Sequence, residues 1–299
     1  MNIFYFSFEM NVVDFYKMHG LGNDFVIINN VPGAVSADVL ALLIKQVKRI
    51  CDRKMGVGCD QLIILQSLVM KSIRDNIGAS GPLCEDTDFT NANICEMLIY
   101  NSDGSQASAC GNASRCVGLL LCWLSADSAK RSIIKVGARL IQAEVISGGG
   151  VWSHSEVIVN MGQYTMSVVP EIFDGVVGYY IDVGNEHLVF FMQPEQSFNI
   201  DFAAEIGQKY RSGGVNVSLA RVIDRNNIKI SVWERGVGET SACGSAACAV
   251  HAVSHALGFV DTGSFIHFKD GKLKISIDER KNIIMQGDAT LTFQGAVYL

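Results

Sequence analysis

At 299 residues, 49% hydrophobic and 18% charged, the chain is long enough to build two cores and too apolar to be disordered. A formal net charge of −6, with Lys and Arg scattered, leaves no basic surface for a phosphate backbone and excludes nucleic acid as a partner. No run approaches the ~20 continuous apolar residues that cross a bilayer, which excludes a membrane span of that kind.

Taken in chain order, the sequence predicts a mixed α and β fold dominated by short strands. The N-terminal Met1-Asn-Ile-Phe-Tyr-Phe-Ser-Phe-Glu9 has no basic flank and too short an apolar core for a secretory leader, so a cytoplasmic location is expected. β-rich runs follow at 12–16 and 25–29, and Ser36 is placed to cap a helix carrying Ala41, Leu42, Ile44, Val47 and Ile50. A strand at 62–65 precedes a Gly-, Ser-, Pro- and Asp-rich excursion over 71–93, and another strand is expected at 97–100.

Val117, Leu120, Leu121 and Leu124 recur at helical spacing behind Cys110. The polar stretch Ser125–Arg131 reads as the break between lobes, giving an N-terminal lobe 1–128, a C-terminal lobe 129–285 and a last strand 286–299 returning to the first lobe. Strands are expected at 133–136, 140–146, 156–160, 179–183, 187–192, 228–233, 273–277 and 282–286, with a helix from Asp201 or Phe202 that includes Ile206 and Tyr210. Ala249, Ala252, Val253 and Ala256 repeat the helical spacing behind Cys243, and Gly258 ends that helix.

The feature that organises the chain is an internal echo. Ser108-Ala-Cys-Gly-Asn-Ala-Ser-Arg-Cys-Val117 returns as Ser241-Ala-Cys-Gly-Ser-Ala-Ala-Cys-Ala-Val250, with six of ten positions the same and the matched Cys110 and Cys243 133 residues apart. Gly22-Asn23-Asp24 before an apolar run is likewise matched by Gly184-Asn185-Glu186. Two echoes in the same order predict a duplication, with two similar lobes facing each other across a cleft.

The nine cysteines are odd in number and include no C-x-x-C pair, so they are not a disulfide framework. A Cys at a helix start sits where free N–H groups and the positive end of the helix dipole lower a thiol pKa and welcome a carboxylate. The amides of Gly111, Asn112, Gly244 and Ser245 are therefore expected to hold an α-carboxylate, with its α-carbon between Cys110 and Cys243. One thiolate as base and one thiol as acid suffice to invert that carbon without a pyridoxal cofactor. The bland alternative is a pair of inert buried thiols, the reading preferred for the cysteines at 51, 84, 95, 116, 122 and 248.

Tyr16-Lys-Met-His-Gly-Leu-Gly-Asn-Asp-Phe25, Gly56-Val-Gly-Cys-Asp-Gln61, Asn101-Ser-Asp-Gly104, Ala109-Cys-Gly-Asn112, Val183-Gly-Asn-Glu-His187 and Trp233-Glu-Arg-Gly-Val-Gly-Glu-Thr-Ser-Ala-Cys-Gly-Ser245 together resemble the diaminopimelate epimerases over nearly the whole chain. The resemblance implies two pseudo-symmetric α/β lobes, each a curled, mostly antiparallel sheet or barrel around a central helix. It implies a cofactor-independent isomerase acting on LL- or meso-2,6-diaminopimelate in lysine and peptidoglycan precursor synthesis, with no metal and, by family habit, a homodimer.

Carried over residue by residue, the resemblance makes Cys110 and Cys243 the acid/base pair, assisted by His187 and Glu234. It gives substrate binding to Asn23, Gln61, Asn101, Asn185, Asn216, Glu234 and Arg235. A planar guanidinium suits a distal carboxylate, and amides both donate to carboxylates and accept from ammonium groups. The chain departs from the family pattern at Glu186, where Pro is usual, at Ala113-Ser114, at Ala246 and at Cys59.

Two other readings compete. A two-cysteine racemase or dehydratase of proline-type substrates would share the fold but leave Arg235 and the asparagines idle. A thiol redox or metal-binding protein is opposed by the missing C-x-x-C, and His251 and His255 at i, i+4 lack the Glu of a zinc protease motif.

Overall fold

Why the apolar runs near Phe25 and Leu62 are continuous rather than alternating becomes clear once both faces of their strands are seen to be covered. The computed structural model describes residues 11–68, 92–107, 110–125, 130–147, 155–167, 169–210 and 212–299. The expected excursion at 71–93 and the aromatic N-terminus lie almost wholly outside them. In β2 (Asn23–Asn30) and β3 (Gln61–Ser67), Phe25, Ile27, Ile63 and Leu65 point into the central core, while Val26, Ile28, Leu62 and Ile64 pack under helices α1 (Ala37–Lys45) and α2 (Val47–Cys51). Each such buried side chain contributes about 1.5–3 kcal/mol.

Eight strands close a barrel. β1 (Val12–Gly20) pairs with β2, β2 runs parallel to β3, and β3 is antiparallel to β4 (Ala92–Asn101). β4 runs parallel to β6 (Arg131–Val136), which continues antiparallel through β7 (Arg139–Ser147) and β8 (Ser155–Gly162). The 16-residue β18 (Ile283–Tyr298) then joins β8 back to β1. Short β5 (Gln106–Ala107) only extends β4.

Helix α3 (Gly111–Leu124) runs through this barrel, burying Cys116, Val117, Leu120 and Leu121 among the inward residues of the strands. Gly118 lets it approach β7, since a Cβ there would lie 2.7 Å from the Ala143 Cβ.

The second barrel repeats the first. β8 continues into β9 (Thr165–Met166), which pairs with β11 (Val176–Asp182), itself flanked by the short β10 (Glu171–Phe173). β12 (Glu186–Phe191) is parallel to β13 (Asn216–Asp224), and β14 (Asn227–Glu234) is parallel to β16 (Gly263–His267), as β2 is to β3 and β4 to β6. β15 (Gly238–Thr240) caps β14, and β17 (Lys272–Ile277) closes onto β18. Helix α4 (Ile200–Lys209), capped by Asn199, covers the outside, and α5 (Gly244–Ala256) forms the axle.

The strands of the first half thus recur in the second in the same order and sense. The fold is the expected pair of pseudo-symmetric lobes, each a mostly antiparallel barrel around one helix.

The break at Ser125–Arg131 does not divide the barrels. β6, β7 and β8 hydrogen-bond into the barrel around α3, because β4 needs a parallel neighbour and α3 needs a wall for Val117 and Leu120; the changeover comes after Gly162. β18 belongs to both lobes, pairing with β17 over 283–286 and with β1 over 290–298. The sequence reading also passes over β13 and β16, and the runs it takes as two strands, at 282–286 and 286–299, are one continuous β18, whose end does return to β1. Among the described residues no helix is long and apolar enough to cross a membrane.

Candidate active site

Both duplicated cysteines are helix N-caps. Cys110 and Cys243 are extended residues immediately before α3 and α5, and the Cys110 sulfur accepts from the Ala113 amide at 3.5 Å. The two helix tips abut: a Cβ on Gly244 would lie 3.5 Å from the Gly111 Cα and 3.4 Å from Asn112 Oδ1. The first-turn N–H groups of both helices have no intrahelical partner, so their positive ends converge on one locus. Both cysteines are free thiols.

Around Cys243 the polar groups form a chain. Its sulfur is 3.3 Å from Ser245 Oγ, which lies 2.9 Å from His187 Nε2 and accepts from Asn185 Nδ2 at 3.4 Å. His187 is fully buried, and burial, followed by the charge of Arg235, pushes its pKa down to about 3. It is a neutral imidazole that reaches Cys243 through Ser245. Glu234, at the end of β14, accepts from Thr240 Oγ1 at 2.5 Å and is hydrogen-bonded to Cys243; burial raises its carboxyl pKa.

Around Cys110 the surroundings differ. Its sulfur is 3.8 Å from Asn23 Oδ1, which also accepts from Asn112 Nδ2 at 3.4 Å, while Asn23 Nδ2 donates to Asp60 at 2.8 Å. Gln61 Nε2 donates to Asn101 Oδ1 at 2.8 Å, and Asn101 donates to Ser105. Gln61 Oε1 and His187 Nδ1 are buried without a partner among the described residues, an uncommon condition for native polar atoms.

The helix tips do not lower the thiol pKa values as the sequence suggests. Burial pushes Cys110 up to about 11 and Cys243 well above its ordinary value, and the negative charge of Glu234 raises both. A helix end supplies only about 0.3–1 kcal/mol, under about one pKa unit, so desolvation wins. Glu234 from the second lobe therefore acts on the thiol of the first as well as on its own. Glu234→Gln is expected to move thiolate formation to lower pH, read as ultraviolet thiolate absorbance during titration; an unchanged midpoint would contradict that coupling.

Asn216 lies opposite His187 on the neighbouring strand β13, and Arg235 directly follows β14. The Asn216 amide bonds backbone at both ends, donating to Glu186 O at 2.7 Å and accepting from Arg235 N at 3.1 Å. Its position fixes the strand pair that carries His187 and Arg235. The Arg235 guanidinium is 43% exposed, donates to Gly214 O and lies 3.7 Å from the Glu186 carboxylate, which also accepts from Tyr180 OH at 2.5 Å.

Sequence reasoning missed Arg115, which is entirely buried within α3. It donates to Asn112 Oδ1 at 2.9 Å and to Asp288 O at 3.1 Å, so it ties the tip of α3 to β18. One cation in an otherwise apolar helix was the available signal. Asp60 was missed too. It bonds Asn23 and Arg53, while Lys17 and Arg53 hold Asp24. His251 lies in the core against Ser264 Oγ at 2.8 Å, and His255 stacks on it, so both serve packing.

Two cysteine-capped helices inside twinned barrels define a double-barrel fold. A hydroxyproline epimerase from Agrobacterium vitis with bound trans-4-hydroxy-L-proline shares it at TM-score 0.63 and 14% identity, over 96% of this chain and 93% of that one. A PhzF-family phenazine biosynthesis protein from Bacillus anthracis shares it at TM-score 0.63 and 11% identity, over 97% and 100%. The sequence narrows the class further. The pattern of the family described as diaminopimelate epimerase matches residues 15–167 and 179–292, one stretch per lobe, and the chain belongs to that family. Diaminopimelate epimerases from Rickettsia felis and Rickettsia prowazekii are 36% and 37% identical to it, over 96% and 97% of this chain and 97% and 98% of theirs. The protein is therefore an isomerase.

Proposed function

We propose that this enzyme interconverts LL- and meso-2,6-diaminopimelate, with Cys110 and Cys243 working on opposite faces of one α-carbon, in lysine and peptidoglycan precursor synthesis. The observation that carries this reading is the abutment of two cysteine-capped helix tips under the charge of one shared glutamate.

The α-carboxylate binds the amides of Gly111, Asn112, Gly244 and Ser245, whose positive ends also stabilise the charge that spreads onto it in the transition state. One sulfur, as thiolate, takes the α-proton, and the C–H electron pair passes to the α-carbon and carboxylate. The opposite S–H delivers its proton to the other face, so thiolate and thiol exchange places. Glu234 accepts a hydrogen bond from the Cys243 thiol and orients it, and the His187–Ser245 relay holds that sulfur in register. The charge is borne by fixed amides, so the step needs no cofactor as electron sink. Thiols that must stay reduced suit the cytoplasm.

Arg235, with Asn23, Gln61, Asn101 and Asn185, holds the distal amino-acid end. Arg235→Lys removes the planar fork and is expected to raise KM about tenfold with little change in kcat, because that contact is equal in ground and transition states. Glu186→Gln frees the guanidinium from its internal carboxylate and should lower KM. Steady-state kinetics checks both directions.

A proline-type substrate has no second carboxylate for Arg235. The purified enzyme incubated with LL-diaminopimelate, and separately with L-proline, decides between them by chiral analysis: meso product from the first and no D-proline from the second is expected. Racemised proline with untouched diaminopimelate would overturn the assignment.

A further inference from the structure

Two cysteines that the reaction does not use lie sulfur to sulfur. Cys51 ends α2 and Cys59 lies two residues before β3, with the chain between them already closed into a tight loop. Cys59 N donates to Cys51 O at 3.1 Å, and the amides of Val57 and Gly58 both donate to Ile50 O at 3.0 Å. The two Sγ atoms are 3.3 Å apart, and both residues are buried, at 4% and 2% exposure.

Among the described cysteines only these two belong to the core beneath α1 and α2. Cys95, Cys116, Cys243 and Cys248 belong to the central core, with Cys110 and Cys122 packed against it. Lys17 places its ammonium beside the loop, bonded to Gly58 O and to Asp24. Neither thiol is bonded to Cys110, Cys243, His187 or Glu234, so the proposed epimerase chemistry makes no use of this pair.

We propose that Cys51 and Cys59 form a dithiol that closes to an intramolecular disulfide when a peroxide reaches it, a site separate from the Cys110 and Cys243 pair. Closing the bond brings the sulfurs from 3.3 Å to about 2.05 Å, within reach of side-chain rotation because the backbone is already joined at both residues. Cys51 is the attacking sulfur. The thiol of Cys59 donates to it, and Lys17 adds positive charge, so its pKa falls; the same hydrogen bond, followed by burial, raises that of Cys59.

The Cys51 thiolate attacks one peroxide oxygen, the O–O bond breaks, and the other oxygen leaves with a proton as water, giving a sulfenic acid. The Cys59 sulfur then attacks that sulfur, the S–O bond breaks, and a second water leaves with the Cys59 proton. Two thiols are oxidised and one hydrogen peroxide is reduced. The result is a staple across residues 52–58, beside Asp60 and Gln61 at the edge of the active site. It constrains the unfolded chain and should raise the thermal midpoint by a few degrees.

The test treats the native full-length enzyme with hydrogen peroxide, quenches it, alkylates free thiols in denaturant and digests with trypsin. Residues 50–53 and 55–71 are expected as one linked species, two hydrogens lighter than the separate peptides, parted by a thiol reductant. Cys59→Ser should abolish both the link and the thermal shift. The Cys110→Ala/Cys243→Ala double variant should still form the link, so its outcome is independent of the catalytic reading. Separate alkylation of Cys51 and Cys59 in treated wild type, Cys51 over-oxidised beside a free Cys59, or either one joined chiefly to another cysteine would overturn the proposal.

Discussion

Cys110→Ala and Cys243→Ala should each lower the rate of inversion by about 10²–10⁴-fold or more, the span that a positioned acid or base contributes. The two variants should not fail in the same way. Each retains one sulfur on one face, which can still remove the α-proton of the epimer that presents its hydrogen there. With no acid opposite, the carbon is reprotonated from the same side. Solvent exchange without inversion is therefore expected, for one epimer in Cys110→Ala and for the other in Cys243→Ala. Neither change is large enough to unfold the protein, since alanine leaves both helix starts without a clash, and thermal melting will verify it. A variant that inverts at the wild-type rate would remove its cysteine from the reaction.

Arg115→Ala carries the largest expected effect on stability. The guanidinium is fully buried, and truncation leaves a cavity while stripping Asn112 Oδ1 and the Asp288 carbonyl of their donor. A cavity of this kind costs about 2–5 kcal/mol, and unpaired buried acceptors add to it. Release of a charge that burial already disfavours offsets part of that loss. A net loss of about 3 kcal/mol is expected from urea unfolding. Arg115→Met fills most of the volume without the charge and should lose far less. Both variants should turn over more slowly if Asn112 lends its amide to the carboxylate as proposed, since Arg115 holds the Asn112 side chain that donates to Asn23. Destabilisation of Arg115→Ala below about 1 kcal/mol would show that the cation is not structural.

The chain announces its chemistry more clearly than its architecture. Cys110 and Cys243 are legible because they repeat, and the helices behind them because Val117, Leu120 and Leu121, or Ala249, Ala252 and Val253, recur at helical spacing. Strands at 61–67 and 186–191 announce themselves as apolar runs, whereas β13 carries Asn, Ser and Arg within a run whose two faces are buried against different cores. The lobe boundary is illegible for a related reason: α3 and β6, on either side of the polar stretch after Leu124, belong to the same barrel, and no local signal tells β6 which sheet it will join.

The sign of the thiol shifts could not be read either. Sequence locates a helix tip, but the depth at which that tip is buried, which decides the competition, is set by β18 and the opposing lobe. Arg115 was overlooked because its meaning comes from Asp288, 173 residues away.

The direct test of the two-thiol account is the fate of the α-hydrogen in heavy water, followed by proton NMR from LL-diaminopimelate. Thiols exchange with solvent, so the acid that completes inversion carries deuterium. Early in the reaction, the meso product should hold deuterium at the inverted carbon while the remaining LL substrate keeps its hydrogen. Product that retains the original hydrogen would mean that one group carries the proton from face to face, and would contradict the pairing of Cys110 with Cys243.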